Sequence, residues 1–218
     1  MKGVTQYHSC FQQIEKDLNR TFSFQQHTQL AFENVLKRIA NHFPSMGYTQ
    51  GVNFVVGYLL LQGYSEADTF WMFAHMAMNK HFLLLGLYED GFPLANIFTL
   101  LFKNMLKRTD SQLFNHIYSN LMLDDSMWIF KWFITLFIYS FPLETIKYVW
   151  DVLIELGSIG LVYFSLSLVT HLKSSILQCQ DPCDISEFFQ SIKDLATFNN
   201  LVNIKQVVVR TYEMRLMK

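Results

Sequence analysis

Two short segments carry side chains suited to phosphoryl-transfer chemistry: Ile14-Glu15-Lys16-Asp17-Leu18-Asn19-Arg20 and Gly47-Tyr48-Thr49-Gln50-Gly51-Val52-Asn53. An arginine keeps its charge at every physiological pH and offers a planar fork of donors to phosphate oxygens. Glutamine is both donor and acceptor, so it can hold a water and face a phosphate together. Brought to one nucleotide, Arg20 would neutralise charge on the transferring phosphoryl group and Gln50 would orient the attacking water. Gly47 and Gly51 would let the loop backbone come close to a partner. The pair reads as parts that complete a nucleotide site on another protein.

Other chemistry finds little support. There is no Gly-x-x-x-x-Gly-Lys-Ser/Thr run, so the chain is not expected to bind a nucleotide through a P-loop of its own. The histidines at 8, 27, 42, 75, 81, 116 and 171 include no His-x-x-x-His pair. Cys179-x-x-x-Cys183 with His171 nearby lacks a fourth ligand, so no metal site is expected. Asp124-Asp125 ahead of Ser126 reads as a turn and helix cap rather than a catalytic carboxylate pair. Trp132, Trp150 and the phenylalanines around them read as core.

The elements that must position Arg20 and Gln50 are helical. Phe32, Val35, Leu36, Ile39, Ala40 and Phe43 recur at helical spacing, which predicts an amphipathic helix over 28–43. Pro44 and Gly47 end it, and a helix is expected from about Thr49 to Leu61. Ser65-Glu66-Ala67-Asp68 reads as a capping box opening a helix to about Lys80. Further helices are expected at 93–107, 111–122, 127–140, 143–156, 159–177, 185–196 and 203–216. Helix 28–43 is roughly 24 Å long, and the eight steps from Arg20 to Thr28 reach up to about 26 Å. A loop of that reach would let the arginine return along the helix towards Gln50.

Composition agrees with an all-α fold. The 218 residues are 51% hydrophobic and 16% aromatic, with 21 Phe but only 4 Pro and 9 Gly, which supplies a large core and little turn punctuation. No period-two run, no hairpin signal between strand-like runs, no repeat and no linker is visible. The expectation is one compact multi-helix domain over 1–218, whose length also has room for two tightly packed helical subdomains, and no β-sheet. A net charge of −1 without a basic run argues against a nucleic-acid partner. Three cysteines, Cys10, Cys179 and Cys183, make no disulfide framework and suit a reducing compartment. The longest apolar stretch, Met127 to Phe141, contains Lys131 and stops at Pro142, short of the roughly 18 residues of a spanning helix. No transmembrane segment and no signal peptide are therefore expected.

Taken in order, these segments resemble the TBC-domain family of Rab GTPase-activating proteins. Ile14-x-x-Asp17-x-x-Arg20 followed by Thr21-Phe22 is similar to the family's arginine-finger motif. Gly47-Tyr48-Thr49-Gln50-Gly51-Val52-Asn53 is similar to its Tyr-x-Gln motif. Lys131-Trp132-Phe133-Ile134-Thr135-Leu136-Phe137, then Phe141-Pro142 and Val149-Trp150-Asp151, resembles its third block. The resemblance covers the chain from about residue 10 and implies an all-helical fold with a dual-finger mechanism. Arg20 and Gln50 would be the catalytic residues, supplied in trans to a GTP-bound Rab-type small GTPase. Asp17 would hold the arginine and its loop by hydrogen bonds. Tyr48 would support the glutamine loop and contact the partner, alongside Gly47, Gly51 and Asn53.

No cofactor is expected on this chain, since GTP and Mg²⁺ would arrive on the partner. The implied role is control of vesicle trafficking, in the cytoplasm and peripherally on endomembranes through the partner. The family usually has proline at Asn19 and often cysteine at Thr49. It also has helices with an Arg/Trp motif ahead of the arginine motif, whereas this chain begins 13 residues before Ile14, so a domain shortened at its N-terminus is expected. The competing readings are a non-catalytic GTPase-binding or scaffold module of the same fold and, more remotely, a helical membrane protein.

Overall fold

A computed structural model describes the backbone of residues 2–216 and side chains from Cys10 onward. All regular structure among the described residues is helical, and the chain divides into two compact units, 1–93 and 94–218.

The first unit is built around a short apolar helix. Helices α1 (Lys2–Thr21), α2 (Gln26–His42), α3 (Val52–Leu61), α4 (Glu66–Met78) and α5 (Leu85–Tyr88) follow one another. In α3 every residue from Val52 to Leu60 is buried. A helix apolar all round needs neighbours on several sides, and α1, α2 and α4 all pack against it. The stripe predicted for α2 faces inward, with Phe32, Val35, Leu36, Ile39 and Ala40 buried. The Ser65 hydroxyl caps α4 by accepting from the Asp68 amide at 3.1 Å.

The second unit holds α6 (Pro93–Thr109), α7 (Ser111–Asn115), α8 (Ile129–Ile134), α9 (Leu143–Leu156), α10 (Ile159–His171), α11 (Lys173–Ile176), α12 (Pro182–Ser191), α13 (Leu195–Leu201) and α14 (Ile204–Leu216). Buried α10 packs against α9 and α14. Beside it lies an aromatic cluster. Trp128 stacks on Phe189 at 5.2 Å between ring centroids. Trp132 meets Trp128 edge-on at 5.3 Å and also contacts Phe137 and Phe141.

Several expected helices are cut differently. The sequence predicted a continuous helix over 127–140, but α8 ends at Ile134 and the chain turns through Leu136 (φ 47°) and Phe137 (φ 66°). Left-handed backbone is costly for such residues. Here it swings the Phe137 ring onto Trp132, Phe141 and Phe164, each within 5.3 Å. The expected 111–122 helix gives way after Asn115 to a π-helical turn over His116–Asn120. The expected 159–177 helix is divided at Leu172. The segment 185–196 becomes two helices, one opened by Pro182 with Asp181 as cap and one capped by Asp194. Asp124 does act as a cap, accepting from the Ser126 amide at 2.7 Å.

No described helix is long and apolar enough to cross a membrane.

Candidate functional site

The arginine sits in a place the sequence reading did not foresee. Arg20 lies in the last turn of α1, and only residues 22–25 connect it to α2. The long returning loop inferred above is therefore replaced by a helix that itself packs along α2 and α3. Ile14 and Leu18 are buried there. Phe11, Ile14 and Leu18 stand at i, i+3 and i+7, a helical signal that was present in the sequence. Arg20 itself is exposed, and its Nε donates to the Lys16 carbonyl at 3.0 Å.

The glutamine loop runs from Gly47 to Gly51, immediately ahead of α3. Gly47 (φ 62°) and Gly51 (φ 120°) both hold backbone shapes that side chains disfavour. Between them, Gln50 is exposed in a turn. The glycines therefore serve the turn itself.

Two side-chain bridges bind this loop to the end of α1. The Tyr48 hydroxyl donates to Asp17 Oδ2 at 2.9 Å. Asn53 Nδ2, from the first turn of α3, donates to Thr21 Oγ1 at 2.7 Å. Asp17 is 4% exposed and Asn53 2%, so one partner of each bond is shielded from water. Each bridge is itself braced. Asp17 Oδ2 also accepts from Gln13 Nε2 at 3.2 Å, and Thr21 Oγ1 donates to the Asp17 carbonyl at 2.7 Å. Asn53 Oδ1 accepts the Gly51 amide at 2.8 Å, closing the loop onto the helix it precedes.

The electrostatics follow from this shielding. Burial, then the Asp17 charge and the hydrogen bond to it, push the Tyr48 phenol well above the ordinary tyrosine range. Tyr48 therefore stays a neutral donor at any physiological pH. Asp17 reaches the glutamine loop through Tyr48, while the Arg20 Nε–H is taken by the helix backbone.

Thr21 and Thr49 contribute bonds that sequence reasoning missed. Thr21 stood in the quoted motif without a role, yet it receives Asn53. Thr49 Oγ1 donates to the Tyr88 carbonyl at 2.8 Å. Their partners lie 32 and 39 residues away, so no local pattern announces them.

A groove of about 830 Å³ adjoins the arginine end, lined by Asn19, Phe22, Phe24, His27 and Leu30 among others. Among the described residues, no three His, Cys, Asp or Glu side chains converge as metal ligands. Cys10, Cys179 and Cys183 are free thiols.

The chain is similar to several known proteins. Growth hormone-regulated TBC protein 1-A of Danio rerio is 32% identical over 198 residues, covering 82% of this chain and 51% of that protein. The GTPase-activating protein GYP5 of Eremothecium gossypii is 31% identical over 165 residues, covering 76% of this chain and 20% of that protein. The chain thus spans about half or less of the length of these relatives. Among solved structures, the Ypt/Rab-GAP domain of Gyp1p superposes with a TM-score of 0.81 at 19% identity, covering 98% of this chain and 75% of that one. The Chlamydomonas flagellar RabGAP TBC domain gives 0.79 at 20% identity, covering 95% and 70%. At such identities the structures speak for the fold alone, all-helical as the sequence predicted. The family model for the Rab-GTPase-TBC domain matches residues 2–177. By that match over most of its length, the chain belongs to the Rab-GTPase-TBC domain family.

Proposed function

We propose that this chain accelerates GTP hydrolysis by a Rab-type small GTPase, with Arg20 and Gln50 entering the partner's nucleotide site. The observation that carries this reading is the pair of bridges, Tyr48 to Asp17 and Asn53 to Thr21. They bind the two finger-bearing segments to each other while leaving Arg20 and Gln50 exposed. Preorganised charge and a preorganised water-holding group lower a barrier because neither must be ordered during the reaction. GTP and Mg²⁺ belong to the partner. Arg20 offsets charge developing on the phosphates, and Gln50 holds the attacking water in line. Such an activity ends the GTP-bound state on a trafficking membrane, and this chain would be recruited there through the GTPase.

The test is single-turnover GTP hydrolysis across a panel of GTP-loaded Rab proteins. Wild type is expected to accelerate at least one of them. An arginine finger contributes about 10³ to 10⁵ in rate, so Arg20→Ala should remove most of the acceleration, and Gln50→Ala should lower kcat/KM by well over tenfold. Losses below tenfold in both variants would overturn the dual-finger reading. Binding without acceleration by the wild type would instead support a scaffold.

A further inference from the structure

Gln50 is preceded by a residue whose hydrogen bond has no place in the mechanism above. Thr49 Oγ1 donates to the carbonyl of Tyr88 at 2.8 Å. Tyr88 is the last residue of the four-residue helix α5. Its carbonyl is one of those a helix C-terminus leaves without an intrahelical partner. Thr49 supplies that partner.

The acceptor is well anchored. The Tyr88 side chain is 1% exposed and its ring packs against Phe73 of α4, 6.1 Å between centroids. The next residue, Glu89, closes the helix by donating its amide to the Leu85 carbonyl at 2.9 Å. A carbonyl fixed on both sides in this way is a firm point of attachment for a loop.

The two attachments flank the finger in consecutive residues. Tyr48 reaches to Asp17 on α1, and Thr49 reaches to Tyr88 at the end of α5. Residues 48 and 49 belong to no helix, and their partners sit on two different helices, α1 and α5. The loop is therefore held by two elements just before Gln50. After Gln50, the Gly51 amide is fixed by Asn53 and the Val52 amide donates back to the Thr49 carbonyl at 3.3 Å.

We infer that Thr49 is a positioning residue for Gln50: its hydroxyl, bound to the Tyr88 carbonyl, fixes the direction in which the glutamine leaves the loop. This inference rests on the proposed GTPase-activating role for its catalytic consequence, but not for its effect on the loop. A misplacement of about 1 Å can cost about 10²-fold in rate, so a single lost attachment matters even though the loop keeps the other. Thr49→Val retains the β-branched shape and removes only the donor. Thr49→Ser retains the donor and removes a methyl group.

Two measurements decide it. In single-turnover hydrolysis with a responsive Rab protein, Thr49→Val is expected to lower the maximal rate between about 5- and 100-fold. The half-saturating concentration should stay within twofold, and Thr49→Ser should recover the rate to within threefold. Placed on Gln50→Ala, Thr49→Val should add less than twofold, because the side chain it positions is gone; placed on Arg20→Ala it should retain its full effect. Hydrogen exchange of the free protein is the second measurement and needs no GTPase. The Gly51 and Val52 amides should exchange at least tenfold faster in Thr49→Val than in wild type, while amides of α2 stay unchanged. Unchanged exchange together with a rate within twofold of wild type would overturn the inference. A full Thr49→Val effect in the Gln50→Ala background would also overturn it. If wild type accelerates no GTPase, the functional proposal fails, and hydrogen exchange alone decides whether Thr49 holds the loop.

Discussion

At the scale of single residues, the Tyr48–Asp17 bond couples the site to stability and to pH. The neutral phenol is favoured in the folded protein by burial first and then by Asp17. In the unfolded chain Tyr48 ionises near the ordinary tyrosine value of 10.0. The stabilisation is therefore complete below pH 10 and is lost as pH rises beyond it, because the unfolded state then binds fewer protons. The slope for one such group is about 1.4 kcal/mol per pH unit. Tyr88 and Tyr118, also held up mainly by burial, act in the same direction. Tyr48→Phe should thus make the alkaline loss of stability shallower by about 1.4 kcal/mol per pH unit. At neutral pH it should cost about 1.5–3 kcal/mol, the worth of a hydrogen bond to a charged group. Urea unfolding from pH 7 to 11 measures both, and an alkaline slope identical to wild type would contradict this assignment. The types and order of Asp17, Arg20, Tyr48 and Gln50 were legible because a motif fixes them along the chain. The bonds of Thr21 and Thr49 were not, since tertiary docking creates them.

At the scale of elements, the position of the arginine depends on how closely α1 approaches α3. Gly57, in the middle of α3, has no side chain, and the Phe22 ring occupies the place one would take. A Cβ built there would come within 2.4 Å of Phe22 Cδ2. Phe22 follows Thr21 directly and touches Phe24 and Phe54 at centroid distances of 5.7 and 6.1 Å. Displacing that ring would move the end of α1 and the Thr21–Asn53 bridge with it. Gly57→Ala should therefore cost about 1–3 kcal/mol through overpacking. It should also reduce GTPase activation at least tenfold although neither finger is altered. Adding Phe22→Leu, which makes room for the methyl group, should recover most of both losses; failure to do so would place the damage elsewhere. The helices themselves were legible where one apolar stripe ran without interruption, as in α2 and α9, whose predicted 143–156 bounds match Leu143–Leu156. Helix ends were less so. The largely apolar run 127–140 concealed the turn at Leu136 and Phe137. Where apolar residues crowd nearly every position, periodicity carries little information about where the backbone turns.

At the scale of the whole molecule, the site and the aromatic cluster around Trp132 fall in different units. All seven residues expected for the site, from Asp17 to Asn53, lie in the unit over 1–93. The aromatic cluster around Trp132 lies in the unit over 94–218. Its large aromatic content was legible as core from composition, whereas its division from the site appears only in the fold. The division has an energetic consequence. Trp132 is 1% exposed and contacts four other aromatic rings, those of Trp128, Phe137, Phe141 and Phe189. Truncating it to alanine removes that packing and leaves a cavity, a loss of about 3–5 kcal/mol. Arg20 and Gln50 are exposed, and the Arg20 bond to Lys16 is open to water. Alanine at either position should change stability by less than about 0.5 kcal/mol. Urea denaturation followed by circular dichroism should therefore show Trp132→Ala strongly destabilised and Arg20→Ala and Gln50→Ala superimposable on wild type. A finger variant that unfolds markedly earlier than wild type would mean that its lost activity reports on folding, and the catalytic roles proposed for the pair would lose their support.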